Sequence, residues 1–362
     1  LTAYGKRTDS WTQTPGQSAP KFKALFNNLT GDIMMQRLMW AAIVSATSFT
    51  PALAQDTCSN RGDLDAQYCD ANKDLVADTP TDPSKQKTPN TLVFTYTPVE
   101  DPAVYEKIFK PFTEHLSQCT AKRVVFFQVQ SNAAEIEAMR AGRLHVAGFS
   151  TGPTAFAVNV AGAVPFAVKG TADRYQGYNL VVIVKKESNL NKLTDLKGKK
   201  LAHTSPSSNS GHMAPIALFP KEGLTPDKDY KILFSGKHDQ SVLGVKSGDY
   251  DAAAVASDVF ERMVHRGEVR EDEFRVIFRS AKFPTSSFAY AHDLEPTFRD
   301  RMLKCFYDYR FTGEMQKAFD GADRFYPITY QKDYAIVREV AEAAGEKFNR
   351  SAYEREAAKA KK

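Results

Sequence analysis

The stretch "TSPSSNSGHMAPIALF" sets four serines, an asparagine and a glycine in front of an apolar segment of helical character. Serine and asparagine cap helices by accepting hydrogen bonds from the unpaired N–H groups of the first turn, and one or two of them suffice. A denser cluster leaves donors to spare, and spare donors at a helix start suit an anion. On that reading the hydroxyls of Ser208 and Ser210 hold phosphoryl-like oxygens, and His238 adds a donor from a ring nitrogen. An ammonium on the same ligand would need a carboxylate or an aromatic face. Asp258 and Tyr96 stand at suitable strand ends, with Asp239 and the Glu100-Asp101 pair as further acceptors. Each of these residues also has an ordinary role open to it. Asp258 can cap a helix, Tyr96 can be a core residue with a satisfied hydroxyl, and Glu100-Asp101 can be the acidic first turn of a helix.

Other chemistries find less support. Ser210, His212, His238 and Asp258 are the parts of a hydrolase, but no G-x-S-x-G elbow occurs and no spacing selects a triad. His203, His212 and His238 lack any metal-binding spacing, and no phosphate-cradling G-x-x-x-x-G-K-S/T loop is present. No cofactor and no metal are expected.

The elements that must position these residues alternate. Strand-like runs "TLVFTY", "RVVFFQV" and "LHVAGFS" are interleaved with helical stretches, and the middle of the chain repeats the pattern from "YNLVVIVKK" to "DVFERMVHRG". Such alternation predicts an α/β fold with largely parallel strands. Residues 135–147 can be written over 241–253: each is a helix ending at a glycine, Gly142 or Gly248, then a short strand and a hydroxyl, Thr151 or Ser257. The two units suggest two similar lobes whose strand ends face one cleft, where open α/β sheets bind their ligands.

The ends of the chain carry different signals. Residues 1–33 are polar and aperiodic and read as an extension ahead of the native start. Residues 34–54 have the charged, apolar and small-residue regions of a signal peptide, with cleavage expected after Ala54, so that the protein is exported. Residues 55–90 form a polar, proline-bearing arm, and "SAYEREAAKAKK" reads as a solvated, fraying end. Residues 1–54 hold five Lys/Arg and two Asp/Glu, so their removal takes the formal charge from +5 to +2, too balanced to argue for nucleic acid or a membrane surface. Four cysteines in an exported chain read as disulfides. Three pairings are possible, and Cys58–Cys69 with Cys119–Cys305 is preferred.

With these loops in place, the chain resembles the phosphate/phosphite/phosphonate substrate-binding proteins of bacterial ABC importers. The resemblance rests on "LKGKKLAHTSPSSNSGHMAP", "FSGKHDQSVLGVKSGDYDAAAVASDVFERM" and "SNAAEIEAMRAGRLHVAGFSTGPTAF", within residues 90–310. It implies a type II-like periplasmic binding protein: two α/β lobes, 91–183 with 284–362 and 184–283, joined by two crossing hinge strands around 181–188 and 280–287. It implies Ser208, Asn209, Ser210, His238 and Thr151 on the phosphonate, and Asp258, Tyr96 and Phe149 toward an amine or tail. It further implies a monomer without catalytic activity that passes its ligand to an inner-membrane ABC permease. The ligand expected first is 2-aminoethylphosphonate, with phosphite, methylphosphonate or phosphate as alternatives. The alternative of another class is a secreted phosphoryl hydrolase or transferase using Ser210 and His238. The family's second acidic position falls near Ser286, Phe149 stands where a tyrosine is expected, and a further tyrosine position falls near Asn132; these departures bear on the ligand.

Overall fold

The computed structural model describes residues 58–359. The expected extension 1–33 and the signal segment 34–54, with its cleavage after Ala54, lie outside the described residues.

In chain order come β1 (Thr91–Tyr96), α1 (Pro102–Thr120), β2 (Arg123–Phe126), α2 (Asn132–Arg140), β3 (Val146–Phe149), α3 (Thr151–Ala161) and β4 (Ala163–Gly170). The chain then builds β5 (Gly177–Lys185), β6 (Leu201–His203), a widened π-helical turn (Asn209–Met213) and α4 (Ala214–Leu218). β7 (Ile232–Phe234), α5 (His238–Ser247), β8 (Ala252–Ala256), α6 (Ser257–His265) and β9 (Phe274–Pro284) follow. The last part comprises β10 (Ser287–Ala291), α7 (Pro296–Asp308), α8 (Gly313–Ala318), β11 (Arg324–Pro327), α9 (Tyr330–Asp333), α10 (Ala335–Ala343) and α11 (Arg350–Lys359).

These strands form two mixed sheets in an α/β fold, ordered β11-β4-β10-β3-β1-β2 and β7-β6-β8-β5-β9. β1 pairs in parallel with β2 and β3, and β6 with β7 and β8, as helical crossovers require. β10 and β5 enter their sheets antiparallel. The chain passes between the sheets twice, at 171–176 and at Thr285-Ser286. The first passage precedes the expected 181–188, because the apolar run of β5 lies wholly in the second sheet and the polar "TADRYQ" before it makes the crossing.

The first sheet owes its packing to aromatics. Phe94, Phe112, Phe288, Phe306 and Phe325 are buried and meet mostly edge-on, the geometry the ring quadrupole favours. Cys119 and Cys305 form a disulfide that joins α1 to α7, and Cys58–Cys69 closes the loop at the start of the described chain. The segment expected as a polar, proline-bearing arm is docked: Leu64, Tyr68, Val76 and Ala77 are buried in the core, and the Lys87 N–H donates to the Asp293 carbonyl at 2.7 Å. The end expected to fray is also seated, with Ala352 buried and Tyr353 Oη donating to the Ala133 carbonyl at 2.8 Å. Among the described residues no helix is long and apolar enough to cross a membrane.

Candidate functional site

Strands β1 and β3 of one sheet and β6 and β8 of the other end around a common cavity of about 30 Å³. Water needs roughly 10–15 Å³ measured in this way, so the space suits a compact ion and not a drug-sized ligand. Ser150 and Thr151 enter from the first sheet, Tyr178, Ser208, Asn209, His238 and Asp258 from the second, and Thr285 and Ser286 from the second crossing.

The repeated unit read from the sequence delivers the walls. Helix α2 ends before Gly142 at φ +70° and leads through β3 to α3, while α5 ends before Gly248 at φ +95° and leads through β8 to α6. Glycine takes this left-handed conformation without the steric cost other residues bear. Helices α3, α5 and α6 all begin at the cavity, and none of the three has a side-chain cap. Their positive dipole ends therefore converge on one point.

The serine-rich turn divides its labour. Ser208 Oγ accepts the Gly211 N–H at 3.1 Å, which is the capping role. Gly211 is required there because a Cβ would come 1.9 Å from Thr204 Oγ1. Ser205 Oγ accepts from Asn132 Nδ2 at 3.4 Å, across to the first sheet's side. Asn209 Nδ2 donates to Tyr178 Oη at 3.2 Å. Asn209 Oδ1, Ser210 Oγ and Thr285 Oγ1 are buried with no protein partner, the kind of group that otherwise costs a fold stability. Thr151 Oγ1 donates to the Pro284 carbonyl at 2.9 Å.

His238 acts as a neutral donor. Its Nδ1 accepts the Ala256 N–H at 3.1 Å, so the neutral ring carries its proton on Nε2, 3.5 Å from Ser208 Oγ. Burial drives its pKa from 6.5 down to about 4, against the pull of Asp258 and Glu100. The other two histidines are a buried pair: His203 and His212 approach Nδ1 to Nδ1 at 2.9 Å, and His203 Nε2 meets Tyr230 Oη at 2.9 Å. No metal-binding group of His, Cys, Asp and Glu occurs among the described residues.

Asp258 is the only carboxylate on this cavity's wall among the described residues, and it is already paired. Its Oδ2 accepts from Arg262 Nη1 at 2.9 Å, one helical turn on. Arg262 Nε also binds Glu100 Oε1 at 2.9 Å, with 5% and 1% of the two side chains exposed. Glu100 is saturated by Arg262, Arg266 and the Tyr105 hydroxyl, and so is neither a free amine acceptor nor a helix cap. Burial opposes the charge on both carboxylates. Arg262 with Arg266 at Glu100, and Arg262 with Lys169 at Asp258, outweigh it and hold both below their ordinary pKa. Asp101 caps α1 through the Ala103 N–H, and Asp239 accepts the Gln240 N–H in the first turn of α5.

Three expected site residues lie off the cavity wall. Tyr96 is buried among Tyr105, Phe109, Phe288 and Phe319, with its hydroxyl accepting from Lys169 Nζ at 2.9 Å. Phe149 is fully buried in the core, and Ser210 is buried without lining the cavity. Sequence reasoning missed Tyr178, in a strand-like run where burial and exposure look alike, and Thr285, in the short crossing between β9 and β10. Arg262 was accessible to it, since a cation four residues after an acid on a helix is a pairing signal.

Residues 94–334 match the family model described as "ABC transporter, phosphonate, periplasmic substrate-binding protein". The chain belongs to this family. Its members are solute-binding proteins of ABC importers and not catalysts, so this protein binds a ligand of the phosphonate, phosphite or phosphate class for such a transporter. It is 29% identical over 245 residues to the phosphate-import protein PhnD of Mycolicibacterium smegmatis, covering 64% of this chain and 75% of that one. Two solved structures share its fold. A binding protein component of an ABC phosphonate transporter from Pseudomonas aeruginosa superposes with TM-score 0.62 at 22% identity, over 75% of this chain and 96% of that one. PhnD1 of Prochlorococcus marinus in complex with methylphosphonate superposes with TM-score 0.65 at 21% identity, over 72% of this chain and all of that one.

Proposed function

We propose that this protein captures a compact phosphorus oxyanion without an amine, such as phosphate, phosphite or methylphosphonate, between its two sheets and presents it to an ABC permease. The observation that carries this reading is the pairing of Asp258 with Arg262. The acid that the sequence offered to a ligand ammonium already has a cation, so 2-aminoethylphosphonate, expected first from the sequence, has little to gain there. Three uncapped helix starts, a neutral His238 and the unpartnered Thr285 hydroxyl suit oxyanion oxygens. Ser208, Asn209, Thr151 and His238 line this site, and Ser210 does not. A carboxylate facing an anion repels it unless the anion brings a proton to share. Phosphate and phosphonates carry one near neutral pH and sulfate does not, so Asp258 favours phosphorus over sulfur. The M. smegmatis relative is named for phosphate import and the P. marinus neighbour holds methylphosphonate, both ligands without an ammonium.

Isothermal titration of the full chain, freed of carried-over ligand, with phosphate, phosphite, methylphosphonate, 2-aminoethylphosphonate and sulfate tests this. Tight binding of one of the first three with sulfate rejected is the expected result. Preference for the aminophosphonate, or equal binding of sulfate, would overturn it.

A further inference from the structure

Lys169, on β4, is 1% exposed. Its ammonium donates to Tyr96 Oη at 2.9 Å and lies over the Phe319 ring, 4.4 Å from the centroid. The two acids of this region, Glu100 and Asp258, pair with Arg262 instead. An ammonium buried against one phenol and one ring face has exchanged its water for few partners, and nearby negative charge offsets that loss. The strands bring it to the level of the site: β4 runs antiparallel to β10 with Ala167 opposite Phe288, so the end of β4 lies beside Thr285 and Ser286, which line the cavity. The same ammonium helps hold the Asp258 carboxyl ionised.

We propose that Lys169 is a specificity determinant of the site, a resident ammonium that takes the electrostatic place a ligand ammonium would need. The inference rests on the oxyanion reading above. Glu100 and Asp258 carry two negative charges, and they are already met by Arg262, by Lys169 and by Arg266, which is shared with Glu268. A phosphorus oxyanion enters a surrounding whose carboxylates are already paired and gains the field of Lys169. An aminoalkylphosphonate would add a further cation to carboxylates that already have theirs, and the like charges repel.

The test compares 2-aminoethylphosphonate with propylphosphonate, which has a methyl where the other has an ammonium, and uses methylphosphonate as a size control. Titration calorimetry is run on the full chain, on Lys169→Met and on Lys169→Gln, which keeps a donor for Tyr96. The wild-type protein is expected to favour propylphosphonate by about tenfold or more, which is about 1.4 kcal/mol. Both variants are expected to cut that preference about tenfold and to weaken methylphosphonate. Wild-type preference for the aminophosphonate overturns the inference whether or not the variants fold. An unchanged ratio in the variants, or exclusion of both longer chains while methylphosphonate binds, overturns it too. Failure of every phosphorus ligand to bind would instead refute the oxyanion reading on which the inference rests.

Discussion

His238 ties the stability of the fold to pH in a way that can be worked out. In the unfolded chain its imidazole gains a proton near pH 6.5, whereas burial lowers the native value to about 4. Above pH 6.5 both states are neutral and stability is complete. As acid is added below 6.5, the unfolded state takes up a proton that the native state refuses, so stability falls until about pH 4 and then levels off. The gap from 6.5 to about 4, at 1.36 kcal/mol per pH unit, is worth about 3 kcal/mol. His238→Gln keeps a donor near Ser208 and removes the titration. Urea unfolding of both proteins at intervals from pH 7 to pH 4 should show the wild-type losing about 3 kcal/mol more than the variant. His203 is likewise held well below its ordinary pKa by burial, with His212 adding to it, and its loss is common to both proteins and cancels. Parallel curves would refute the buried neutral imidazole, and with it the assignment of the Nε2 proton to the ligand. Between pH 5 and 8 His238 should contribute no pH dependence to ligand affinity.

Two substitutions probe the walls. Gly152 lies against the serine turn, where an added Cβ would come 2.2 Å from the Ser207 carbonyl oxygen and 2.9 Å from the Asn209 nitrogen. Gly152→Ala should hold the sheets apart, seen as a larger radius of gyration by solution scattering with ligand present, and weaken binding by about 1–3 kcal/mol. Thr285→Val removes a buried hydroxyl with no protein partner. Its melting temperature without ligand should be unchanged or higher, while affinity for the oxyanion falls by about 1.5–3 kcal/mol. A variant that loses stability without losing affinity would assign Thr285 to the fold alone.

The sequence was informative where chemistry and periodicity coincide. The serine turn precedes an apolar run, and the Gly142 and Gly248 units announce both helix ends and the strands that follow; with the family resemblance, which supplied Asn209, they named Ser208, His238, Asp258 and Thr151, all five of which line one cavity. It was silent where one residue type serves two roles. Tyr96 follows an apolar strand and could point to a ligand or into the core; the aromatic cluster around Phe109 and Phe319 takes it inward. Lys169 ends the apolar run of β4, and local pattern gives no sign that its ammonium is buried beneath Tyr96. The first crossing was misplaced for a related reason, since β4 and β5 are both apolar and only pairing assigns them to different sheets.

Arg262 joins recognition to the contact between the sheets. It stands on α6 and binds Asp258 of the cavity wall, and it also binds Glu100, which follows β1 of the other sheet. A buried pair of this kind returns little net stability over an apolar contact, but removing one partner strands the other charge at a cost of about 3–5 kcal/mol. Separating the sheets strands nothing if water can reach both groups, so the pair resists mutation far more than it resists opening. On the proposed reading the ligand would add what the pair lacks, because Thr151 and Thr285 line the cavity on one side and Ser208 and His238 on the other, so that oxygens set between them would bridge the sheets. On that reading a closed arrangement would draw its register from Glu100 and Arg262 and its dependence on ligand from the hydroxyls. A permease that separates Glu100 from Arg262 would return both to water and open the cavity in the same movement.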